Sequence, residues 1–340
     1  MFISPKITQF TICALAIALP LVASAANNPS PSGDPFIGSY EGHYQPTGVS
    51  KTKCEGFVIS EGPELYRVIV NFEVGQRSHR QHSQLELHGR AQGERLRFSG
   101  YAGNVSWDVD LNDGKLRINR TQGGYGGTFK LEKVINSSPT EGLDAPEGAV
   151  VLLPKTPGKK ADMSAWASNK WEALDDGVMR VKGRTESNKT KESFGSFTLH
   201  LEFKIAHMPS EHGQGRSNSG VYFHDRYEVQ VLDSFGLTSG SGDCGGIYQQ
   251  SIPLVNASLP PGQWQTYDAE FTAATFSASG NVLTNPRLTV KHNGVIIQDD
   301  HEFKEVTGGA AGDKHVAEAP IRLQDHSDPV EFRNIWVVKK

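Results

Sequence analysis

The sequence predicts an all-β protein, a small antiparallel β domain followed by a jelly-roll β-sandwich, and three observations predict it. Short runs alternating apolar and polar residues recur from Phe36 to the C-terminus, as strands with one packed face require. Turn residues separate the runs, with Asn112-Asp113-Gly114 and His292-Asn293-Gly294 as hairpin signals, because these residues tolerate the positive φ of tight turns. No stretch keeps a convincing helical period.

Ahead of the strands stands a targeting signal. Lys6 precedes an apolar run over residues 10–22, and Ala23-Ser24-Ala25 supplies small residues at the spacing of a signal-peptidase site. The run is shorter than the ~20 apolar residues that span a bilayer, and no later run approaches that length. Export to the periplasm or exterior is expected, with cleavage near Ala25 and residues 1–25 removed. Residues 26–35, "ANNPSPSGDP", hold too few apolar groups to fold and read as a linker. The roughly 315 residues that follow cleavage exceed the about 100–200 of one domain, so two domains are expected.

Residues 36–135 form the first, in runs such as "CEGFVIS", "LYRVIVNFEV" and "SWDVDLNDGKLRINR". Leu85 and Leu87 alternating with Glu86 and His88 give one packed and one wet face. "RSHRQH", Arg77 to His82, reads as a charged loop, and "GGYGG", Gly123 to Gly127, as a turn. A second linker covers residues 136–146, and residues 147–340 carry strands at sandwich-like intervals, in a jelly-roll or concanavalin-like arrangement.

Within that second domain, "SNSGVYFHDRYEVQVLDSFG" (residues 217–236) carries costly polar choices. Tyr227, Val229 and Val231 share one strand face and Glu228 and Gln230 the other. A three-residue hairpin loop with a bulge is expected to set His224 opposite Glu228, and a bulge near Leu232 to turn Asp233 toward Glu228. The spacing of "EVQVLD" resembles the E-x-D-x-x-E of the family-16 glycoside hydrolases, with Gln230 and Asp233 substituted. Retaining hydrolysis uses two carboxyl groups about 5–5.5 Å apart, and Gln230 cannot ionise.

With 34 basic and 38 acidic residues the chain is nearly balanced, which argues against a nucleic-acid or anionic-membrane surface. No G-x-S-x-G elbow, Cys/His zinc spacing or phosphate-cradling glycine loop is present. Cys54 and Cys244 remain after cleavage, and both a long-range disulfide and two buried thiols stay open.

The blocks "GSFTLHLEFKI", "NSGVYFHDRYEVQVLDS", "DCGGIYQQSIPLVNAS", "PGQWQTYDAEF", "RLTVKHNGVIIQDD" and "PIRLQDHSDPVEFRNIWV" follow one another as in the 3-keto-disaccharide hydrolase domain family, which residues 147–338 resemble. The resemblance implies a fold similar to that of family-16 enzymes and action on 3-keto-glycosides, by hydrolysis or by elimination followed by water addition. A ketone at carbon 3 acidifies the hydrogen on carbon 2, so this route needs one base and a stabiliser for the enolate oxygen.

Glu228, His326 and Asp233 are the catalytic candidates. Asn218, His224, Gln230, Tyr248, Trp264, Arg322 and Gln324 are the substrate-binding ones, the aromatics as surfaces on which a sugar ring can stack. Arg322, His326 or a divalent metal ion would stabilise the oxyanion; no metal ligands are assigned. A lectin-like module and a conventional glucan hydrolase are the rival readings.

Overall fold

The computed structural model describes residues 32–48, 50–74, 81–122 and 127–340. The export segment, most of the first linker, Arg77 to Arg80 of the charged cluster and all but the last residue of "GGYGG" lie outside the described residues. The protein is all-β, and the only helical pieces described are two single 3₁₀ turns.

Eight strands, β1 (Gly38–Pro46), β2 (Thr52–Gly62), β3 (Leu65–Val74), β4 (Gln81–Gln92), β5 (Arg95–Ala102), β6 (Val105–Asn112), β7 (Lys115–Gln122) and β8 (Gly127–Val134), run up and down. They close into a barrel when β8 pairs back onto β1, from Ser39 opposite Val134 to Pro46 opposite Gly127. Closure leaves no free sheet edge. The seam is tight at Gly42, where a Cβ would stand 2.0 Å from the Lys130 carbonyl oxygen, so only glycine fits. The predicted Asn112-Asp113-Gly114 turn joins β6 to β7 with φ of 47° at Asp113 and 67° at Gly114. Alternate residues fill the interior: Tyr40, Val58, Val68, Leu96, Val109, Leu116, Ile118 and Phe129 are buried, and Tyr44 stacks on Phe129 at 4.4 Å.

The second unit adds β9 (Val150–Leu153), β10 (Glu172–Ala173), β11 (Met179–Arg180), β12 (Asn188–Lys189), β13 (Phe197–Lys204), β14 (Ser219–Phe223) and β15 (Tyr227–Val231). It continues with β16 (Trp264–Thr272), β17 (Thr275–Phe276), β18 (Val282–Thr284), β19 (Arg287–His292), β20 (Val295–Glu302), β21 (Arg322–Leu323) and β22 (Glu331–Lys339). The large sheet runs β10-β11-β22-β13-β16-β19-β20, with β9 on β22; the small sheet runs β12-β21-β14-β15. Leu199, Leu201, Phe203, Tyr267 and Phe271 of the large sheet meet Val221, Phe223, Val229 and Leu323 of the small one in a single core. The predicted turn at Asn293-Gly294 links β19 to β20, with φ of 50° and 80°.

The segment read as a second linker is packed. Ser138 and Thr140 hydroxyls bond Thr266, Thr140 bonds Asp268, and the Gly142 amide donates to Glu202 Oε1 at 2.6 Å. It lies on the outer face of β13 and β16, where His200, Glu202, Asp268 and Arg333 need polar partners.

The two units meet through the loop after β15 and through Arg216, ahead of β14, whose Nη1 donates to the Ser60 carbonyl at 2.9 Å. After β15, Phe235 joins the barrel's apolar cluster, edge-on to Phe57 at 5.7 Å. Gly236 has φ of 69°, and a Cβ there would stand 2.8 Å from Ile59. Phe57 and Ile59 sit on the outer face of β2, so the continuous "GFVIS" run marks a strand apolar on both sides. Cys54 and Cys244 are both free and buried, which decides between the two readings of the thiols. No helix among the described residues is long and apolar enough to cross a membrane.

Candidate functional site

The outer face of the small sheet carries the polar parity of β14 and β15. Register sets Tyr222 opposite Glu228 and opposite Arg322, and Gly220 opposite Gln230. The Gln324 amide donates to the Gly220 carbonyl, so Gln324 and Gln230 flank the missing side chain of Gly220 from the two neighbouring strands. Asn218 precedes Gly220 by two residues and shares its face. Gly220 is the floor beneath the Glu228 carboxyl: a Cβ there would stand 2.1 Å from Glu228 Oε1.

Glu228 is 2% exposed. Burial pushes its carboxyl up to about 7, against the downward pulls of a hydrogen bond from Tyr222 and the positive charge of Arg322. The Tyr222 hydroxyl donates to Glu228 Oε2 at 2.7 Å and accepts from Gln324 Nε2 at 3.3 Å. Burial, with the Glu228 charge adding to it, raises the Tyr222 phenol. Arg322 lies 3.8 Å over the Tyr222 ring, pairs with Asp225 at 2.8 Å and donates to the Gly309 carbonyl at 2.6 Å. It therefore holds Tyr222 in place and faces Glu228 with its charge.

Amide orientations around the floor follow from backbone acceptors. Gln230 Nε2 donates to the Gly242 carbonyl and to Gln214 Oε1, and Asn218 Nδ2 donates to the Gln214 carbonyl at 2.7 Å. Those bonds leave Gln230 Oε1, Asn218 Oδ1 and Gln324 Oε1 buried with no partner. Three unpartnered acceptors on residues that neighbour one glycine can be satisfied by a ligand rich in hydroxyl donors. Tyr248 donates its amide to the Glu228 carbonyl at 3.1 Å and sets its half-buried ring between Gly242 and Gly308, at the mouth.

Glu228, Gln230, Asn218, Arg322, Gln324 and Tyr248 thus come together, and four expectations are corrected. The hairpin loop is three residues long, but its register is shifted from the expected one: positive φ at both His224 and Asp225 closes the turn at Phe223, so Tyr222 and not His224 faces Glu228. His224 is buried on the core side, donating from Nε2 to the Gly195 carbonyl at 2.9 Å and packing edge-on to Phe271.

Asp233 does not turn back to Glu228. It lies past the end of β15, paired with Arg216 Nε at 2.7 Å, and accepts the Phe235 amide. Trp264 belongs to the opposite sheet, on β16, with Arg333 at 3.9 Å and Lys204 at 4.9 Å over its ring. His326 is exposed in the loop after β21, two residues before Asp328, whose carboxylate accepts the Asn218 amide. That places it at the rim near Asn218, with no contact to Glu228.

Tyr222, Gly220 and Gln214 escaped the sequence reading. Tyr222 and Gly220 share the parity of Glu228 once the turn is placed, so the signal lay in the register. Gln214 carried none, because it reaches the site from a loop.

What the arrangement can do is base chemistry on a hydroxyl-rich ligand. It offers a buried carboxyl that titrates near neutrality, with a phenol and an amide donor beside it. With Asp233 engaged by Arg216 and Gln230 beside Glu228, the paired-carboxylate arrangement of retaining hydrolysis is missing. Among the described residues no group of three or more His, Cys, Asp or Glu side chains could hold a metal ion.

None of the curated proteins matches this chain. Among solved structures, a candidate glycosyl hydrolase from Parabacteroides distasonis ATCC 8503 is 38% identical, with a TM-score of 0.51 over 58% of this chain and 85% of that one. A second candidate glycosyl hydrolase from the same organism is 17% identical, with a TM-score of 0.37 over 54% of this chain and 91% of that one, too slight a likeness to bear on function. The profile of the 3-keto-alpha-glucoside-1,2-lyase-like domain matches residues 149–338, the whole sandwich that carries Glu228 and its surrounding amides, and the chain belongs to that family of glycoside-acting enzymes.

Proposed function

We propose that this protein is an exported enzyme that cleaves 3-keto-glucosides, with Glu228 as the base. The observation that carries the reading is a single buried carboxyl with its pKa near 7, set over Gly220 among three unpartnered amide oxygens. The amides of Asn218, Gln230 and Gln324 accept from sugar hydroxyls and fix the ring, and Tyr248 covers it from the mouth. Glu228 takes the proton from carbon 2, and the C–H electron pair moves into the enolate of the carbon-3 ketone. The enolate re-forms the ketone, a double bond forms between carbons 1 and 2, and the carbon-1 bond to the leaving oxygen breaks. The leaving oxygen takes up the proton that Glu228 holds, directly or through water, which restores the carboxylate. Addition of water across the new double bond then completes a net hydrolysis.

Tyr222 and Gln324 are the donors beside Glu228, and the Arg322 charge supports the negative charge that develops there. A base whose pKa lies near working pH combines the right protonation state with driving force. The apolar run before Ala25 supports export, which N-terminal sequencing of the protein recovered outside the cytoplasm tests.

Incubation with a 3-keto-disaccharide in heavy water tests the reaction. Turnover with deuterium at carbon 2 is expected for elimination and hydration, and turnover without it for direct hydrolysis. A parallel arm with chelator reports metal dependence. No turnover in either arm, with binding retained by both the native protein and Glu228→Gln, would leave a lectin-like module; turnover of unoxidised glucans would mark a conventional hydrolase.

A further inference from the structure

We propose that the N-terminal barrel builds part of the substrate site, and that Arg216 is the positioning residue through which it does so. The inference rests on the reading of the Glu228 face as the glycoside site. Arg216 is 5% exposed and spans three places at once. Its Nε pairs with Asp233 at 2.7 Å and its Nη1 donates to the Ser60 carbonyl of the barrel at 2.9 Å, while its own carbonyl accepts the Asp233 amide at 3.1 Å. Ser60 stands where the β2–β3 ladder shifts register, before Gly62, and irregularities of this kind free backbone groups from the ladder.

Arg216 lies two residues from the two groups that carry the floor amides. Gln214 receives the Asn218 amide on its carbonyl and the Gln230 amide on its side chain, and donates to the Gly242 carbonyl. The segment from Gly213 to Asn218 is a 3₁₀ turn followed by Ser217 in the left-handed region, at φ of 54°, so it has no ladder of its own to hold it. It is pinned by side chains: the Ser217 hydroxyl accepts the Ala206 amide, Asp328 accepts the Asn218 amide, and Arg216 fastens the middle to Asp233 and the barrel.

The same strand β2 grips the other side of the hairpin end, through Phe57 against Phe235 and Ile59 against Gly236. Both strands of the β14–β15 pair are therefore referred, at their open end, to one barrel strand. Moving that strand shifts Gln214, and with it the direction of the Asn218 and Gln230 oxygens.

Full-length Arg216→Met, Arg216→Lys and Phe57→Ala test this, with Phe57→Ala as the variant that leaves every group of the site and the buried ion pair intact. Steady-state kinetics on a 3-keto-disaccharide and amide hydrogen exchange over residues 213–218 are the two readouts. Displacement of bound groups by a fraction of an ångström is expected to raise KM about tenfold in Arg216→Met and Phe57→Ala, with kcat within about threefold. Arg216→Lys should fall between, because one ammonium cannot reproduce the two-pronged contact. Exchange over residues 213–218 should quicken while β13 and β16 stay protected.

A folded Phe57→Ala protein with native KM, or with native exchange over residues 213–218, overturns the proposal whatever happens to Arg216→Met. If the native protein turns over no 3-keto-glycoside, the proposed function fails by itself, and exchange in Phe57→Ala alone decides the coupling: quickened exchange supports it and native exchange overturns it.

Discussion

The barrel and the small sheet of the sandwich are built from the same apolar–polar alternation, yet they treat their polar positions in opposite ways. In the barrel, Ser60 and Ser106 are the buried polar side chains among the described residues, and the outward charges stay wet. On β14, β15 and their flanks, Asn218, Ser219, Glu228 and Gln230 are each buried to within 2%. Loops from Gln214, Gly242, Tyr248 and Gly308 cover that face. Burying polar groups without full partners costs stability, so a chain carries them where a ligand completes them. The barrel is stabilised by its interior; the small sheet gives up stability at the face proposed as the site.

Four substitutions break or sharpen that contrast. Glu228→Gln should lower kcat by about 10²–10⁴, the usual weight of a positioned base, with the fold retained. Its effect on stability has a definite sign. A carboxyl whose folded pKa is raised to about 7 binds its proton more tightly folded than unfolded, so native stability falls as pH rises from the unfolded value near 4.5 through 7. The variant should gain up to about 3 kcal/mol over the native protein at pH 8, and nothing below pH 4, in denaturant titrations at the two pH values. The rate of the native enzyme should climb through pH 7 as the base ionises.

Phe129→Ala, in the barrel interior, should cost about 3–5 kcal/mol in the same titrations, while kcat per folded molecule stays native. Equal losses of rate in Phe129→Ala and Glu228→Gln would erase the division of labour between the two units. Gly220→Ala brings a methyl into the space of Glu228 Oε1 and should reduce kcat about 10²-fold, with a melting temperature near native, as a displaced catalytic group does. Trp264→Ala should change least, leaving KM native and costing at most about 2 kcal/mol, since the ring lies on the opposite sheet between Arg333 and Lys204. A large rise in KM for that variant would put the sugar on the other face.

Much of the fold could be read from the chain because its signals are local. Asp113-Gly114 and Asn293-Gly294 form turns wherever they stand, and period-two alternation assigned Val229 to the core and Glu228 and Gln230 to the outer face without knowledge of a partner. That β2 is covered outside as well as inside was not read from the chain, where one packed and one wet face were expected; it follows from Phe235 and Gly236 packing on Phe57 and Ile59. His224 shows where that reach ended. Alternation along β14 puts it with Tyr222, and only the turn geometry, with two successive residues at positive φ, swings it into the core and leaves Tyr222 opposite Glu228. Asp233 is held away from Glu228 by Arg216, and spacing to Glu228 says nothing of a cation 17 positions upstream.

By itself, then, the sequence determined the strand periods, the hairpin turns, and which polar side chains of β15 share a face. Only the tertiary structure decided that eight strands close on themselves, that Tyr222 and Gly220 complete the Glu228 site, that Asp233 serves Arg216, and that barrel and sandwich meet at Phe57 and Phe235. The physical reason is range. Backbone dihedrals and side-chain alternation are properties of neighbouring residues, whereas an ion pair, a sheet order or a covered face depends on which distant surfaces meet when the apolar ones are buried.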